Sequence, residues 1–516
     1  MNKSQKVVSA VFWNFSGKTG FYILKFFESL LLVRLLGSEQ YGIYGSLLNI
    51  QSIIALTISF GLENVIGRFL PQFLAEENYN SVHSLLRKIL RIRGLSVVLI
   101  GCVFFFFSDF ISVRLFHASL GGYYLRLAFV LVALVSFHTI FRSFLDLLFQ
   151  LKFINILDLC TQASYLVIAY ILVQCGYGLT AVLITLICVN ASALLILAYK
   201  YRKEKLQLPH TAGKTVTEKT KVYAYGGALY ILNLLNYVLG KGLDVLLIGI
   251  LIGDMRQVAY YLLAFNVAFY AVSIMDMAVS ANFVVSLIVD AHTRNNMETL
   301  RKIYCGLFEF IYLFIVPIVI GGLILRTEII QLLYKAENLP AASFLALFLI
   351  AMSVGKLSSI ASTFLVLLNK EKIIAVSRTL FGITNLIFDI ILIRIMGAFG
   401  AVIATGTIMI LMSAFESILL HRLIAPRYSL TFLWKTFAVS MTMGGCVYFL
   451  NTIWVGPPVF KVPAIILAGT IIYSGGIFLL KPISPENISL IQKSNLPFRN
   501  TLFRLFSSHK EIQNGL

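Results

Sequence analysis

Long apolar segments recur along this chain from one end to the other, and they leave few ways for it to fold. Each runs for about 20 residues or more with few charges, the length an α-helix needs to cross bilayer hydrocarbon. Such segments fall at about 11–36, 41–69, 93–113, 124–148, 153–174, 179–199, 223–252, 257–289, 302–325, 341–368, 373–396, 399–420, 430–451 and 462–481. Inside hydrocarbon every backbone N–H and C=O must be paired within the chain itself, so a long apolar run of this kind is helical. Composition agrees. Of 516 residues 59% are apolar and 13% charged, against roughly 45–50% and 25% in a soluble domain. The expected fold class is all-α: a polytopic membrane protein with about 14 transmembrane helices. A soluble enzyme, a disordered chain and a secreted disulfide scaffold do not fit.

The net charge of +19 would point to nucleic acid in a soluble protein. In a membrane protein it has another source, because Lys and Arg accumulate in the loops that stay in the cytoplasm. Placing the N-terminus inside puts an excess of about four to one of loop Lys and Arg on the cytoplasmic side. Both termini are therefore expected inside, and nucleic acid is not an expected partner. The six cysteines are scattered, with no CxxC pair, and read as small apolar residues.

The longest polar connection, 201–222, splits the chain. The expected organisation is an N-terminal six-helix lobe (1–200), a cytoplasmic linker loop (201–222), a C-terminal six-helix lobe (223–422), helices 13 and 14 (423–481) and a cytoplasmic tail (482–516). In the tail, Leu502-Phe-Arg-Leu-Phe506 fits either an amphipathic helix on the inner leaflet or a frayed end.

The two lobes read as copies. Lys25-Phe-Phe-Glu28 matches Lys241-Gly-Leu-Asp244 at an offset of 216, and Leu36-Gly37 matches Ile252-Gly253. Tyr44 falls on Tyr260 and, one residue further on, Asn49 on Asn266. Leu85-Leu-Arg-Lys-Ile89 matches Thr299-Leu-Arg-Lys-Ile303; Ala181-Val182 and Thr185 match Ala401-Val402 and Thr405. The common order and near-constant offset indicate a duplication of six spans. Copies of equal topology are parallel repeats, whose transporters hold substrate between the halves.

Charges at membrane depth cost roughly 2.5–3.5 kcal/mol each on insertion scales, so they mark candidate sites. Asn14, Lys18, Lys25 and Glu28 share one face of span 1. Span 7 carries Asn233, Asn236, Tyr237, Lys241 and Asp244; span 8 carries Asn266, Ser273, Asp276 and Ser280. Arg142 and Asp146 stand four apart in span 4, and Lys356 lies in span 10. Polar stripes cannot face lipid. They are expected to line a hydrated inter-lobe cavity made cationic by Lys18, Lys25, Arg142, Lys241 and Lys356. Arg68 joins that set or snorkels at its span end. Glu28, Asp244 and Asp276 are the candidate coupling or neutralising acids, and Asp389 could also titrate or bind a cation. Lys25–Glu28 and Lys241–Asp244 also fit neutralised pairs that hold helices together, and the sequence leaves both readings open.

Ser16-Gly-Lys-Thr19 resembles the end of a phosphate-binding loop, but Phe12 stands where the first glycine belongs and no strand precedes it. No catalytic pattern and no metal-ligand spacing of histidines is visible, so the chain is not expected to be an enzyme.

Val33-Arg-Leu-Leu-Gly-Ser-Glu-Gln-Tyr-Gly-Ile-Tyr44 resembles the RxLGxxxYGxY segment of polysaccharide-export flippases, and Gly61-Leu-Glu-Asn64 followed by Arg68 is similar to that family too. By these motifs and its whole layout the chain resembles the Wzx-type oligosaccharide flippases of the multidrug/oligosaccharidyl-lipid/polysaccharide exporter superfamily. The resemblance implies a flippase of the inner (cytoplasmic) membrane. It would move polyprenyl-pyrophosphate-linked oligosaccharides between leaflets by alternating access, beside membrane lipids, a polysaccharide polymerase and glycosyltransferases. It also implies that Lys18, Lys25 and Lys241 match cavity cations of the family. No cofactor is expected beyond a coupling cation or proton. The competing reading is an ion-coupled multidrug or small-cation exporter on the same fold.

Overall fold

The computed structural model describes residues 3–116, 121–148, 150–209, 227, 230, 237, 241–273, 288, 291–294 and 296–480, with the side chains of 3–16, 18, 116 and 121 left aside. Among the described residues the long elements are all α-helices. They are α1 (Lys3–Ser59), α2 (Leu62–Ala75), α3 (Tyr79–Phe116), α4 (Gly121–Leu147), α5 (Leu151–Gln174), α6 (Gly178–Leu206), α7 (Lys241–Ile252) and α8 (Met255–Ser273). There follow α9 (Met297–Ile324), α10 (Arg326–Leu333), α11 (Ala341–Leu367), α12 (Glu371–Met396), α13 (Ala398–Ile424), α14 (Leu430–Ile453) and α15 (Pro458–Leu480).

Ten of the described helices are long and apolar enough to cross a membrane, or eleven when α1 and α2, bent by 47° at their junction, count as one broken span. Most described helices follow the sequence-derived segments, but α3 begins at Tyr79, well before the segment at 93–113. The segment 41–69 runs across the break at Phe60-Gly61 into α2, and Gly37 (φ 77°, ψ 169°) breaks α1 into two helical arms, one for each of the first two segments. Only glycine reaches that backbone region at low cost. Segments 223–252 and 257–289 fall partly outside the described residues, as do the linker loop and the tail.

The distribution of side chains is inverted relative to a soluble protein. On α3, Phe106 is 79% exposed while Ser108 and Ser112 are fully buried. Phe105, Phe107 and Phe110 face outward with Phe106. In water such a surface would aggregate; against acyl chains it is the solvated face, and the hydroxyls are hidden from hydrocarbon. Ser108 pairs locally, its Oγ donating to the carbonyl of Phe105 at 3.0 Å. The protein is a multi-pass membrane protein.

The chain divides into two compact units, Met1–Leu263 with Arg378–Thr405, and Ala264–Ser377 with Gly406–Leu516. In the first, α1 packs along α5 and α4, and α6 packs on α4 and α5. One end of this bundle is closed by Ile66, Leu70, Leu86, Phe144, Ile154 and Tyr201, drawn from α2 through α6. In the second unit α14 packs on both α9 and α15, with Phe432, Val439, Met443 and Val447 in its buried stripe. Side-chain caps start two helices there: Asn296 accepts from the amide of Thr299, and Ser429 from that of Phe432.

Close approach in the first unit rests on small residues. A Cβ on Gly42 would stand 1.9 Å from the carbonyl oxygen of Met255, at the start of α8. Gly67, by contrast, has open space around it. Gly42→Ala should therefore lower the thermal unfolding midpoint of the purified protein, by the equivalent of about 1–3 kcal/mol for an overpacked contact. Gly67→Ala should leave it unchanged; equal midpoints for both variants would refute the close contact.

Candidate functional site

Two carboxylates occupy corresponding places in the duplicated sequence, and both are buried: Glu28 is 5% exposed and Asp244 not at all. Each sits on a helix that carries a lysine three residues earlier, Lys25 and Lys241. A carboxylate at that depth needs a positive or hydrogen-bonding partner for each oxygen. The two clusters meet this need differently.

Around Glu28 the partners come from the chain. Lys25 Nζ lies 2.6 Å from Glu28 Oε2. Tyr44, from the second arm of α1, donates to Oε1 at 2.7 Å. Gln162 of α5 donates to Oε2 at 2.7 Å. The hydroxyls of Tyr44 and Tyr165 are 3.2 Å apart, which ties a second α5 residue into the network. The Lys25 side chain keeps 31% of its surface open and lines a cavity of about 500 Å³ between α1, α4, α5 and α6.

That cavity holds a second ion pair. Arg142 of α4 contacts Asp158 of α5 at 2.5 Å and Asp146, on its own helix, at 3.8 Å. Tyr44, His138, Gln162 and Asn190 also line it. Lys25 and Arg142 are thus brought together in one polar chamber, and each cation there has a carboxylate beside it. Asp158, His138 and Gln162 are absent from the sequence-derived candidates. Asp158 and Gln162 stand four apart in an apolar span, which is the signal the sequence offers for them.

Around Asp244 the partners are different. Tyr261 of α8 donates to Asp244 Oδ2. Thr405 of α13 donates to the same oxygen at 2.6 Å. Asn385 of α12 donates to Asp389 Oδ2 at 2.8 Å, and Asp389 is fully buried. Asp389 is close enough to Asp244 for their carboxyl groups to interact. Asp244 Oδ1 and Asp389 Oδ1 are both buried with no hydrogen-bond partner. Two neighbouring carboxyl groups with two orphaned oxygens, flanked by amide and hydroxyl oxygens, form an all-oxygen donor set. Such a set fits a proton or a small hard cation, and not a thiolate- or imidazole-binding metal. Among the described residues no cluster of three or more His, Cys, Asp or Glu side chains that could hold a metal ion exists.

The local backbone repeats along with the side chains. Gly37 and Gly253 both have φ 77°. Gln40 Oε1 lies 3.5 Å from the Cβ position of Gly178, and Gln257 Oε1 lies 2.6 Å from that of Gly397. Gln257 also accepts from the amide of Ala398 at 2.9 Å. By contact the counterpart of Tyr44 is Tyr261 rather than Tyr260. The extra residue of the second copy therefore lies just after Gly253, before Gln257.

The other sequence candidates are placed as follows. Lys241 opens the described α7 and feels the positive field of Lys25. Arg68 is exposed on α2, and Lys356 is half-buried on α11 in the second unit. The side chains of Lys18 and Asn14, and residues Asn233, Asn236 and Asp276, lie outside the described residues.

Residues 31–343 match the family described as polysaccharide biosynthesis protein. No curated protein sequence matches the chain. Among solved structures, the lipid II flippase MurJ in an inward closed conformation aligns with 90% of this chain and 98% of its own, at 15% identity and a TM-score of 0.69. An inward-facing multidrug resistance transporter of the MATE family, in the MOP superfamily, aligns with 78% of this chain and 94% of its own (13% identity, TM-score 0.60). A MOP superfamily transporter from Pyrococcus furiosus aligns with 81% and 95% (12% identity, TM-score 0.53). These likenesses establish the fold.

The Glu28 network makes a stability prediction. Glu28→Ala strands Lys25, Tyr44 and Gln162 and should destabilise by about 3–5 kcal/mol, the cost of breaking a buried pair from one side. Tyr44→Phe removes the hydroxyl that bonds to both Glu28 and Tyr165 and should cost about 1–3 kcal/mol. Chemical or thermal unfolding in detergent gives the order; a Glu28→Ala protein as stable as Tyr44→Phe would contradict the network.

Proposed function

Because the chain belongs to the polysaccharide biosynthesis protein family, we propose that it is a flippase for polyprenyl-pyrophosphate-linked oligosaccharides, serving surface-polysaccharide export from the inner membrane. The single observation that carries the reading is that two cations at membrane depth, Lys25 and Arg142, line one polar cavity of about 500 Å³ in a membrane protein of this family.

A sugar pyrophosphate cannot cross hydrocarbon unaided, since its charges would lose their water. Lysine binds phosphate as a point charge. Cations that line one chamber can hold a polyanion among them, while the lipid tail stays in the bilayer. Arg142 adds a forked guanidinium to the same chamber as Lys25. Lys18, Lys356 and Arg68 belong to the proposed substrate path on sequence grounds. In this reading the protein works as a transporter and has no catalytic residues. Both termini are cytoplasmic, and a polymerase and glycosyltransferases act before and after it.

The driving force is assigned to the second cluster. Asp244, Asp389, Asn385 and Thr405 would hold a coupling proton or monovalent cation, which supplies positive charge where two carboxylates crowd. Asp244 stands one helical turn from Lys241. In this reading, neutralising the Asp244 cluster removes the pull of a carboxylate one turn away and leaves Lys241 a stronger anion ligand. Cation and substrate then bind cooperatively, and by linkage each raises the affinity of the other.

An ion-coupled drug exporter is the second reading, favoured by the fold shared with a MATE transporter. The family match and the two cavity cations, Lys25 and Arg142, favour the anionic substrate.

Lys25→Ala and Lys241→Ala should each abolish surface-polymer export, measured per molecule of folded protein in the membrane. Export at the normal level by both variants would remove the proposal. Asp244→Asn should keep substrate binding but weaken its response to monovalent cation and pH; a response as large as the parent's would clear Asp244 of the coupling role.

A further inference from the structure

The two clusters differ in one respect that their common origin makes informative. Glu28 corresponds to Asp244, Tyr44 to Tyr261, and Thr185 to Thr405. Thr405 donates to Asp244, whereas the Thr185 hydroxyl, 2% exposed, has no hydrogen-bond partner. Gln162 of α5 serves Glu28 as α12 serves the second cluster through Asn385. What the first cluster has in addition is an ammonium group, Lys25 Nζ, 2.6 Å from the carboxylate. What the second has in addition is a further carboxyl group, Asp389, and two orphaned oxygens.

We infer that the first cluster is a second monovalent-cation site whose cation is tethered: Lys25 Nζ fills in the first half the place that a free ion or proton takes in the second. The inference deepens the proposed function, on which it rests for the identity of the substrate. The Lys25 side chain is open to the cavity, so its ammonium can turn between the acid and the chamber. An anionic headgroup in that cavity competes with Glu28 for the same ammonium. When Lys25 turns to the phosphate, Glu28 is left buried with Tyr44 and Gln162 as donors and no positive charge. It then takes up a small monovalent cation, either a proton or an alkali ion. The site therefore couples anion arrival to cation uptake without a fixed second ion.

The other groups around Glu28 do not replace Lys25. On α5, Tyr165 and Gln162 are neutral donors, and Asp158 is committed to Arg142. On α4, Arg142 is held by Asp158 and Asp146, and His138 shares the cavity. On α7, Lys241 is the further positive group near Lys25.

The test uses the full-length protein in lipid nanodiscs, with Asp244→Asn present throughout to silence the second cluster. In that background the unfolding midpoint is measured against sodium and potassium chloride at fixed pH, with choline chloride as the ionic-strength control, and against pH without either ion. The parent should show no specific response to alkali ions. Lys25→Met should gain one: a midpoint that rises with sodium or potassium, or that rises on acidification as Glu28 binds a proton. Lys25→Met/Glu28→Gln should lose the gained response. The ion arm and the pH arm separate an alkali site from a proton site, and either supports the inference.

A Lys25→Met protein indifferent to all three variables overturns it. So does a Lys25→Met protein that fails to fold at high salt and low pH while Lys25→Met/Glu28→Gln folds, because the carboxylate would then require Lys25 itself. Failure of both variants to fold overturns it as well, by showing that Lys25 acts through packing. None of these readouts depends on transport, so a failed flippase assignment would leave this result standing.

Discussion

A carboxylate inside a bilayer must have positive charge or donated protons around it, and this requirement organises the first unit of the structure. Glu28 draws α1 back on itself through Tyr44 and binds it to α5 through Gln162. Asp244 draws α7, α8 and α13 together through Tyr261 and Thr405. Removing one partner from such a network costs more than the contact contributes, because the remaining charge cannot reach water. Acids at these positions are therefore constrained twice, by the packing they hold and by the charge they need.

The duplication explains why the same physical problem is solved twice, with different answers. The glycine kinks at Gly37 and Gly253 and the glutamines at Gln40 and Gln257 repeat, so the frame around each acid is alike. Within that frame one copy carries its cation on a side chain, and the other gathers oxygen ligands. On the proposed reading the pair forms a division of labour, with an anion-responsive half and a cation-responsive half linked through Lys25 and Lys241.

Much of this is legible in the sequence. Apolar length places most of the described helices, because hydrocarbon thickness sets a lower bound that each span must meet, but it misses the polar turns by which α3 reaches back to Tyr79. The Lys25–Glu28 and Lys241–Asp244 match points to the two acids, and Thr405 stands in the same repeat. Asn385 with Asp389, and Asp158 with Gln162, are visible only as polar residues four apart in apolar spans. Their partners lie on helices distant in the chain, and no spacing rule encodes which faces meet. Tyr260 aligns with Tyr44 in place of Tyr261 for the same reason: a one-residue gap is invisible in apolar sequence until the hydroxyl is seen on its acid. Spacing along the helix pairs Arg142 with Asp146, yet its shorter contact is to Asp158 across the bundle.

The central claim is tested most directly by translocation in reconstituted vesicles. Polyprenyl-pyrophosphate oligosaccharide would be placed in proteoliposomes, with an added glycosidase or lectin reporting arrival in the outer leaflet under an imposed proton or sodium gradient. Protein-dependent translocation whose net direction follows the gradient is the predicted result. Vesicles in which the glycolipid stays put, or equilibrates between leaflets at a rate blind to every gradient, would contradict it.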